Sequence, residues 1–417
     1  METNHPGLFW YQSNAAWDST FIEARKLIEN GADIFHFNSV LSKINAQIGC
    51  GHTSVRLGRS NSDEWTDSLR IVPFTVKLIN DKLVINDPLI KDAAINKGST
   101  IKSINGISTE DILNEIAATI SMDGFNLTGK HHYIERRFPI YFAKFIQPLA
   151  IKFRIDIDGK MIETTGASTA QFEKLANNET QPLLELKPLE PNNTYYMRIA
   201  TFSSNYMNSR GFNYSQFLSN SFGELSRTNA TNLVLDLRGN GGGDDGNGSL
   251  LMSYLVNDEF DYYRSIEVTP AYDGWGDVKQ SPDGRYLLTA HNDLSSHQPK
   301  SDNFNGNVYI LIDGGSFSAT SEFAALIHNR KRATFIGVET GGGYYGNSSG
   351  NRKRLELPNT KLAVSIPYWR YQVAIDGDQY YGRGIIPDYP IKPTIDNLLN
   401  GEDLALKKAI ELIGAGQ

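Results

Sequence analysis

Four stretches of the chain are short, nearly unbroken apolar runs rich in branched or aromatic side chains: YYMRIATF (195–202), NLVLDLRG (232–239), NVYILID (307–313) and ATFIGVE (333–339). Runs of that kind suit strands covered on both faces. Between them lie FNYSQFLSNSFGEL (212–225), GSLLMSYLV (248–256) and SEFAALIHNR (321–330), whose apolar positions recur at helical spacing. Strand and helix therefore alternate, which predicts a layered α/β core over the C-terminal half.

The N-terminal half has a different rhythm. AAWDSTFIEARKLIENGAD (15–33) sets Trp17, Phe21, Ala24 and Ile28 on one helical face, with Gly31 as the stop, and FHFNSVLSKINAQIG (35–49) repeats the period through Val40, Ile44 and Ile48. In VPFTVKLINDKLVIND (72–87) the pattern shortens to two strands around an Asn-Asp turn. GSTIKSINGISTEDILNEIAATI (98–120) then reads as strand, Asn-Gly turn, strand and helix, with Thr109, Glu110 and Asp111 at an acidic helix start. KLANNETQPLLELKPLEPNN (174–193), rich in Asn and Pro, reads as a linker. No internal repeat is present.

At 417 residues, two or three folding units are expected. A net charge of −7 and the lack of any basic run argue against nucleic-acid binding. Cys50 is the sole cysteine, which excludes an intrachain disulfide and a cysteine-built structural zinc site. No apolar run approaches the roughly 18 residues of a membrane span, and METNHPGLFWYQ has no basic start followed by an apolar core. A leader removed earlier would leave the same sequence.

Three constellations could carry chemistry. In LVLDLRGNGGGDDGNGS (233–249) a strand runs into three glycines and then a helix. Such a loop can turn backbone N–H groups toward a developing oxyanion, or can be flexible only; no Gly-Lys-Ser/Thr or GxGxxG spacing makes it a nucleotide loop. In GGSFSATSEFAA (314–325) Ser318 falls at a strand–turn–helix junction. It is either an exposed nucleophile beside the Ala319 N–H or a helix N-cap; Ser321 stands where a capping box would want Glu or Gln. In QIGCGHTSVRL (47–57) His52 sits between glycines and a short strand, where it could act as a general base or be structural. His131 and His132 beside Tyr133 lack zinc-hydrolase spacing and read as surface, so no metal and no cofactor is expected.

Taken together, DLRGNGGG (236–243), SFSATSEFAA (316–325), IGVETGGG (336–343), GRGIIPD (382–388), HPGLFWY (5–11) and GCGHTSV (50–55) resemble the C-terminal-processing, or tail-specific, serine peptidases, in the branch related to the tricorn core protease. The resemblance spans nearly the whole chain. It implies an α/β fold: a helical region at 1–70 carrying His52, a degenerate PDZ-like domain at 71–185, and a crotonase-like peptidase core at 186–417.

Position by position, Ser318 matches the nucleophile, its register set by Phe323, Ala324 and Ala325. Gly241, Gly242 and Ala319 match the oxyanion hole. Serine–lysine members place a lysine after the Glu-Thr-Gly segment, but none occurs between Lys331 and Lys353. His52 matches the histidine of the tricorn-like branch, with Gly51 where that branch has a serine. Asp376, Asp378 and Glu339 are the candidates for an orienting acid, Tyr381 standing where some members have one. The implied function is serine endopeptidase action on a peptide or unfolded protein, in a protein exported to the periplasm or cell envelope. Two other readings share the fold: binding of a hydrophobic ligand or peptide without proteolysis, and acyl-CoA chemistry, for which the chain shows no basic run.

Overall fold

The computed structural model describes residues 1–57, 69–176, 181–190, 193–272 and 277–415 and shows an α/β fold of mixed sheets and helices. Its central sheet has the strand order Leu184–Leu189, Thr194–Ile199, Asn232–Asp236, Asn307–Ile312, Thr334–Gly337, Tyr389–Pro390, and all neighbours except the first pair run parallel. Every residue of Asn232–Asp236 is buried, because side chains alternate between two covered faces. Leu233 and Leu235 enter the main core, which includes residues of the helices Tyr214–Arg227, Asp245–Ser253 and Ala319–Asn329. Val234 turns the other way, onto Ala405, Ala409 and Ile413 of the C-terminal helix Leu404–Ala415.

That helix is also held by charge. Arg238, just past the strand end, spans Asp236 at 2.7 Å and Asp403 at 2.8 Å. With Asp236 almost fully buried, the two carboxylates and the guanidinium share donors and acceptors that burial would otherwise leave unpaired.

A second sheet is antiparallel and runs Ser54–Leu57, Leu362–Val373, Tyr263–Val268, Tyr286–Leu288, Val278–Gln280, with Gly346–Glu356 also paired to Leu362–Val373. The alternating pattern of the C-terminal half did not disclose this sheet. GNSSGNRKRLE, for instance, has almost no apolar residue, and its strand geometry comes from pairing with its neighbour. A third, six-stranded antiparallel sheet is built from residues 74–165. Both predicted turns are there: Asn80 and Asp81 adopt φ of 49° and 60°, and Asn105 and Gly106 adopt 50° and 81°. The helix Thr109–Thr119 begins where its acidic start lies, capped by Ser108.

The stretch read as a linker differs. Within 174–193, residues 177–180 and 191–192 lie outside the described residues, but Leu184–Leu189 is the edge strand of the central sheet. The domain boundary expected at 185/186 therefore cuts a strand. Pro188 is tolerated there because an edge strand pairs on one side only. The other expected boundary, at 70/71, splits the strand Arg70–Ile71, and the segment 58–68 before it is outside the described residues. No helix among the described residues is long and apolar enough to cross a membrane.

Candidate active site

Parallel neighbours end on the same side of a sheet, so the loops after Asn232–Asp236 and Asn307–Ile312 meet. Ser316 Oγ donates to the Leu237 carbonyl at 2.9 Å, and Phe317 N donates to the Asn240 carbonyl at 3.0 Å. The glycine loop and the serine turn are thereby fastened side by side.

The four hydroxyls of GGSFSATSEFAA have separate fates. Ser316 is spent on Leu237, Ser321 Oγ donates to the Ser316 carbonyl at 2.9 Å, and Thr320 is buried inside the helix, its hydroxyl without a partner among the described residues. Ser318 precedes the helix at φ 58°, ψ −133°, and its side chain makes no capping bond. A residue with a Cβ in that conformation costs about 1–3 kcal/mol of strain. Its Oγ lies 3.0 Å from His52 Nε2. The N-cap alternative is thus not what this side chain does.

Gly242, at φ +87°, packs against the serine turn. A Cβ there would come within 2.7 Å of the Phe317 carbonyl oxygen, 2.8 Å of Ser318 Cβ and 2.9 Å of Ala319 N. Only glycine allows this approach. The Gly242 N–H itself donates to Asn240 Oδ1 at 3.0 Å, which corrects its expected place as a free oxyanion donor. Its part is to let the loop close in. Gly241 faces open space, and Ala319 is the first residue of the helix, where N–H groups point outward along the positive end of the dipole.

His52 sits in the turn just before the strand Ser54–Leu57, whose partners are Leu362–Ser365. Thr53 beside it bonds His5 Nε2 at 2.8 Å, and His5 Nδ1 accepts from Gly7 N, so the HPG segment near the N-terminus braces the histidine. On the other side Asp123 Oδ1 accepts from Gly51 N at 2.9 Å and Oδ2 from Gly343 N at 3.2 Å. Asp123 is fully buried, and burial pushes its carboxyl up to about 7. Burial, with the charge of Arg352 second, pushes the His52 imidazole down to about 3. The histidine is therefore neutral at physiological pH, the form a base needs.

The segment where serine–lysine peptidases carry their lysine does pass behind Ser318. Gly341 N and Gly342 N both donate to the Ser316 carbonyl, and a Cβ on Gly342 would sit 2.9 Å from Ser318 N. It contributes backbone but no amine.

None of the three expected acids touches the imidazole. Asp376 is exposed and pairs with Arg264 at 2.6 Å; Asp378 is exposed; Glu339 binds Arg383 at 2.7 Å and Gly384 N at 2.8 Å. Their place near GRGIIPD suggested them, but their charges are committed locally or to solvent. His52 Nδ1 is buried with no hydrogen-bond partner among the described residues. The nearby buried acid is Asp123. Sequence reading passed over it because SMDGF looks like a turn, and only tertiary packing buries it.

Ser318 and His52 open into a cleft of about 580 Å³ lined in part by Asp245, His291, Asp293, Arg352 and Trp369. Burial, then the neighbouring Asp293, pushes the Asp245 carboxyl up to about 7. Residues 193–391 match the model of peptidase family S41. That segment holds the glycine loop, Ser318 and most of the cleft, but not His52. Among solved structures, mature CPAF is 13% identical with a TM-score of 0.71, covering 99% of this chain and 94% of that one. Mature CPAF complexed with lactacystin gives 13% and 0.69 over 99% and 95%. A candidate peptidase from Parabacteroides merdae ATCC 43184 gives 17% and 0.51 over 99% and 92%. At these identities the likeness concerns the fold.

His131 and His132 are partly buried, not on the surface as expected. His132 packs on the serine turn's first glycines, for a Cβ on Gly315 would lie 2.4 Å from its ring, and its Nδ1 is 3.7 Å from Asp313.

Proposed function

We propose that this protein is a serine peptidase in which Ser318 attacks a peptide carbonyl while His52 takes its proton. The observation that carries this is the 3.0 Å contact between Ser318 Oγ and His52 Nε2 at a strained strand–turn–helix junction. Nucleophile and base at that distance, with a glycine loop alongside, form the geometry of acyl transfer. The proton taken by His52 then passes to the leaving amine, and water repeats the attack on the acyl-enzyme. The N–H groups of Ala319 and Gly241 stabilise the tetrahedral oxyanion; removing one such donor costs about 2.7–4 kcal/mol of barrier. The family match over residues 193–391 supports peptide-bond hydrolysis in general terms.

The finer architecture belongs to the same proposal: a crotonase-like core, and a PDZ-like module in the third sheet. So does export to the periplasm or cell envelope, which cell fractionation tests. Nothing in the cleft favours a hydrophobic-ligand binder, since charged and polar side chains converge on it.

An active-site-directed fluorophosphonate labels the wild type at Ser318 and leaves Ser318→Ala unmodified. Failure to label the wild type, or equal labelling of both, refutes the nucleophile.

A further inference from the structure

Behind Ser318, His52 belongs to a second cluster with two side chains that the reaction does not use, Cys50 and Asp123. Cys50, His52 and Asp123 are all buried, and one donor atom from each, thiol sulfur, ring nitrogen and carboxylate oxygen, lies within 4.8 Å of the other two. Points so close leave some position within about 2.8 Å of all three. Zinc–ligand bonds of about 2.0–2.3 Å to S, N and O need only small side-chain movements from there.

The donors are free to serve. His52 is 8% exposed, its Nε2 is engaged on Ser318, and its Nδ1 is the ring nitrogen without a partner. Asp123 accepts one N–H on each oxygen, which leaves each with a further lone pair. The Cys50 thiol donates to the Ser348 carbonyl oxygen at 3.3 Å, itself an oxygen ligand beside the cluster, and its sulfur also meets the Thr53 hydroxyl and the His52 and Thr53 backbone, donors that a thiolate keeps as acceptor. Thiolate and imidazole with one carboxylate favour a borderline-soft divalent ion such as Zn²⁺ over Ca²⁺ or Mg²⁺.

We propose that Cys50, His52 and Asp123 form a regulatory Zn²⁺ site that switches the enzyme off. This regulation rests on the peptidase reading above. Binding releases the thiol proton and takes up the Nδ1 lone pair. The neutral imidazole must then carry its proton on Nε2, which can donate to Ser318 but no longer accept from it. A chelator reverses the block by returning Nε2 to the acceptor role.

Cys50 is the only cysteine, so a thiolate-to-cadmium charge-transfer band in the ultraviolet reports this site alone. Titration of the full chain with Cd²⁺ is expected to give that band, saturating at one ion per chain, with fluorophosphonate labelling of Ser318 falling in parallel. Zn²⁺ competes the band away, and EDTA restores labelling. In Cys50→Ala, or Cys50→Ser should the alanine variant fold poorly, the Zn²⁺ concentration halving that variant's own labelling rate rises by more than about 100-fold, beyond what loss of an outer-shell partner costs. Absence of the band in the wild type, a band without loss of labelling, or equal Zn²⁺ sensitivity of the cysteine variants overturns the proposal. The band reads metal binding whether or not the chain cleaves peptides, so failure of the site and failure of the peptidase reading are told apart.

Discussion

The imidazole of His52 lies against the ring of Phe317, with centroids 4.8 Å apart and planes 30° from parallel. Phe317 immediately precedes Ser318, yet its side chain belongs to the hydrophobic core of residues 72–162, together with Phe74, Ile116 and Phe138. One ring therefore joins Ser318, His52 and the core of the third sheet. Gly51 fits beneath it because a Cβ would come within 2.6 Å of Phe317 Cζ.

Phe317→Leu keeps most of the apolar volume but loses the flat surface under the imidazole. Its kcat is expected to fall about tenfold, an assigned 1.4 kcal/mol, with a change in KM of less than twofold. Phe317→Ala also opens a cavity and should cost about 3–5 kcal/mol of stability. Steady-state kinetics and urea unfolding of both variants check this.

Gly242→Ala places a methyl group against the Phe317 carbonyl and Ala319 N, in a backbone conformation that disfavours any Cβ. The loop must retreat from the serine turn. We expect kcat to fall by roughly 10²–10³, the cost of one oxyanion donor, while fluorophosphonate labelling slows but still maps to Ser318. A kcat within threefold of wild type would show that the loop does not shape the oxyanion site.

The pH dependence follows from the burial of His52. In the folded chain its imidazole stays neutral down to about 3, whereas unfolded it titrates near 6.5. Between those values the unfolded state binds the extra proton. This contribution to stability is therefore present above 6.5 and lost as pH falls toward 3. The acid limb of kcat/KM should likewise lie well below 6.5 when measured on a neutral peptide ester. A limb at the ordinary imidazole value would mean that the ring is solvated.

Glu322, one turn after Ser318, is buried and accepts from Tyr263 OH and from Asn347 Nδ2, each at 2.6 Å. Burial, then the neighbouring Asp245, raises its carboxyl well above the ordinary range. A raised carboxyl contributes stability below the unfolded value of 4.5 that is lost as pH rises. Glu322→Gln should therefore melt higher than wild type at pH 8, with the gap closing toward pH 4. The new amide can be met by turning the Asn347 carboxamide, whose Oδ1 has no partner among the described residues. Melting curves across pH test the sign.

The central sheet was legible because strands buried on both faces leave no polar alternation to misread, as Leu233, Val234 and Leu235 show. The turns were legible because Asn80, Asp81, Asn105 and Gly106 accept positive φ. The 3.0 Å meeting of Ser318 and His52 could be anticipated only through the family resemblance, since 266 positions separate them. What sequence could not disclose was created by pairing and burial at long range: the polar strand Gly346–Glu356, the edge strand inside a Pro-rich stretch, and the enclosure of Asp123. Asp376 and Glu339 were misjudged for the same reason, their partners Arg264 and Arg383 being set by tertiary contact, while Asp378 faces solvent.

The strand Ser54–Leu57, which follows His52, has its partner at Leu362–Ser365, beyond every other strand of the central and third sheets except Tyr389–Pro390. Pairing across such a span forms late, since loop closure must precede it. During synthesis the serine turn can be complete while its base still lacks a seat. On the peptidase reading, a chain truncated before residue 362 is expected to leave Ser318 unlabelled by a fluorophosphonate.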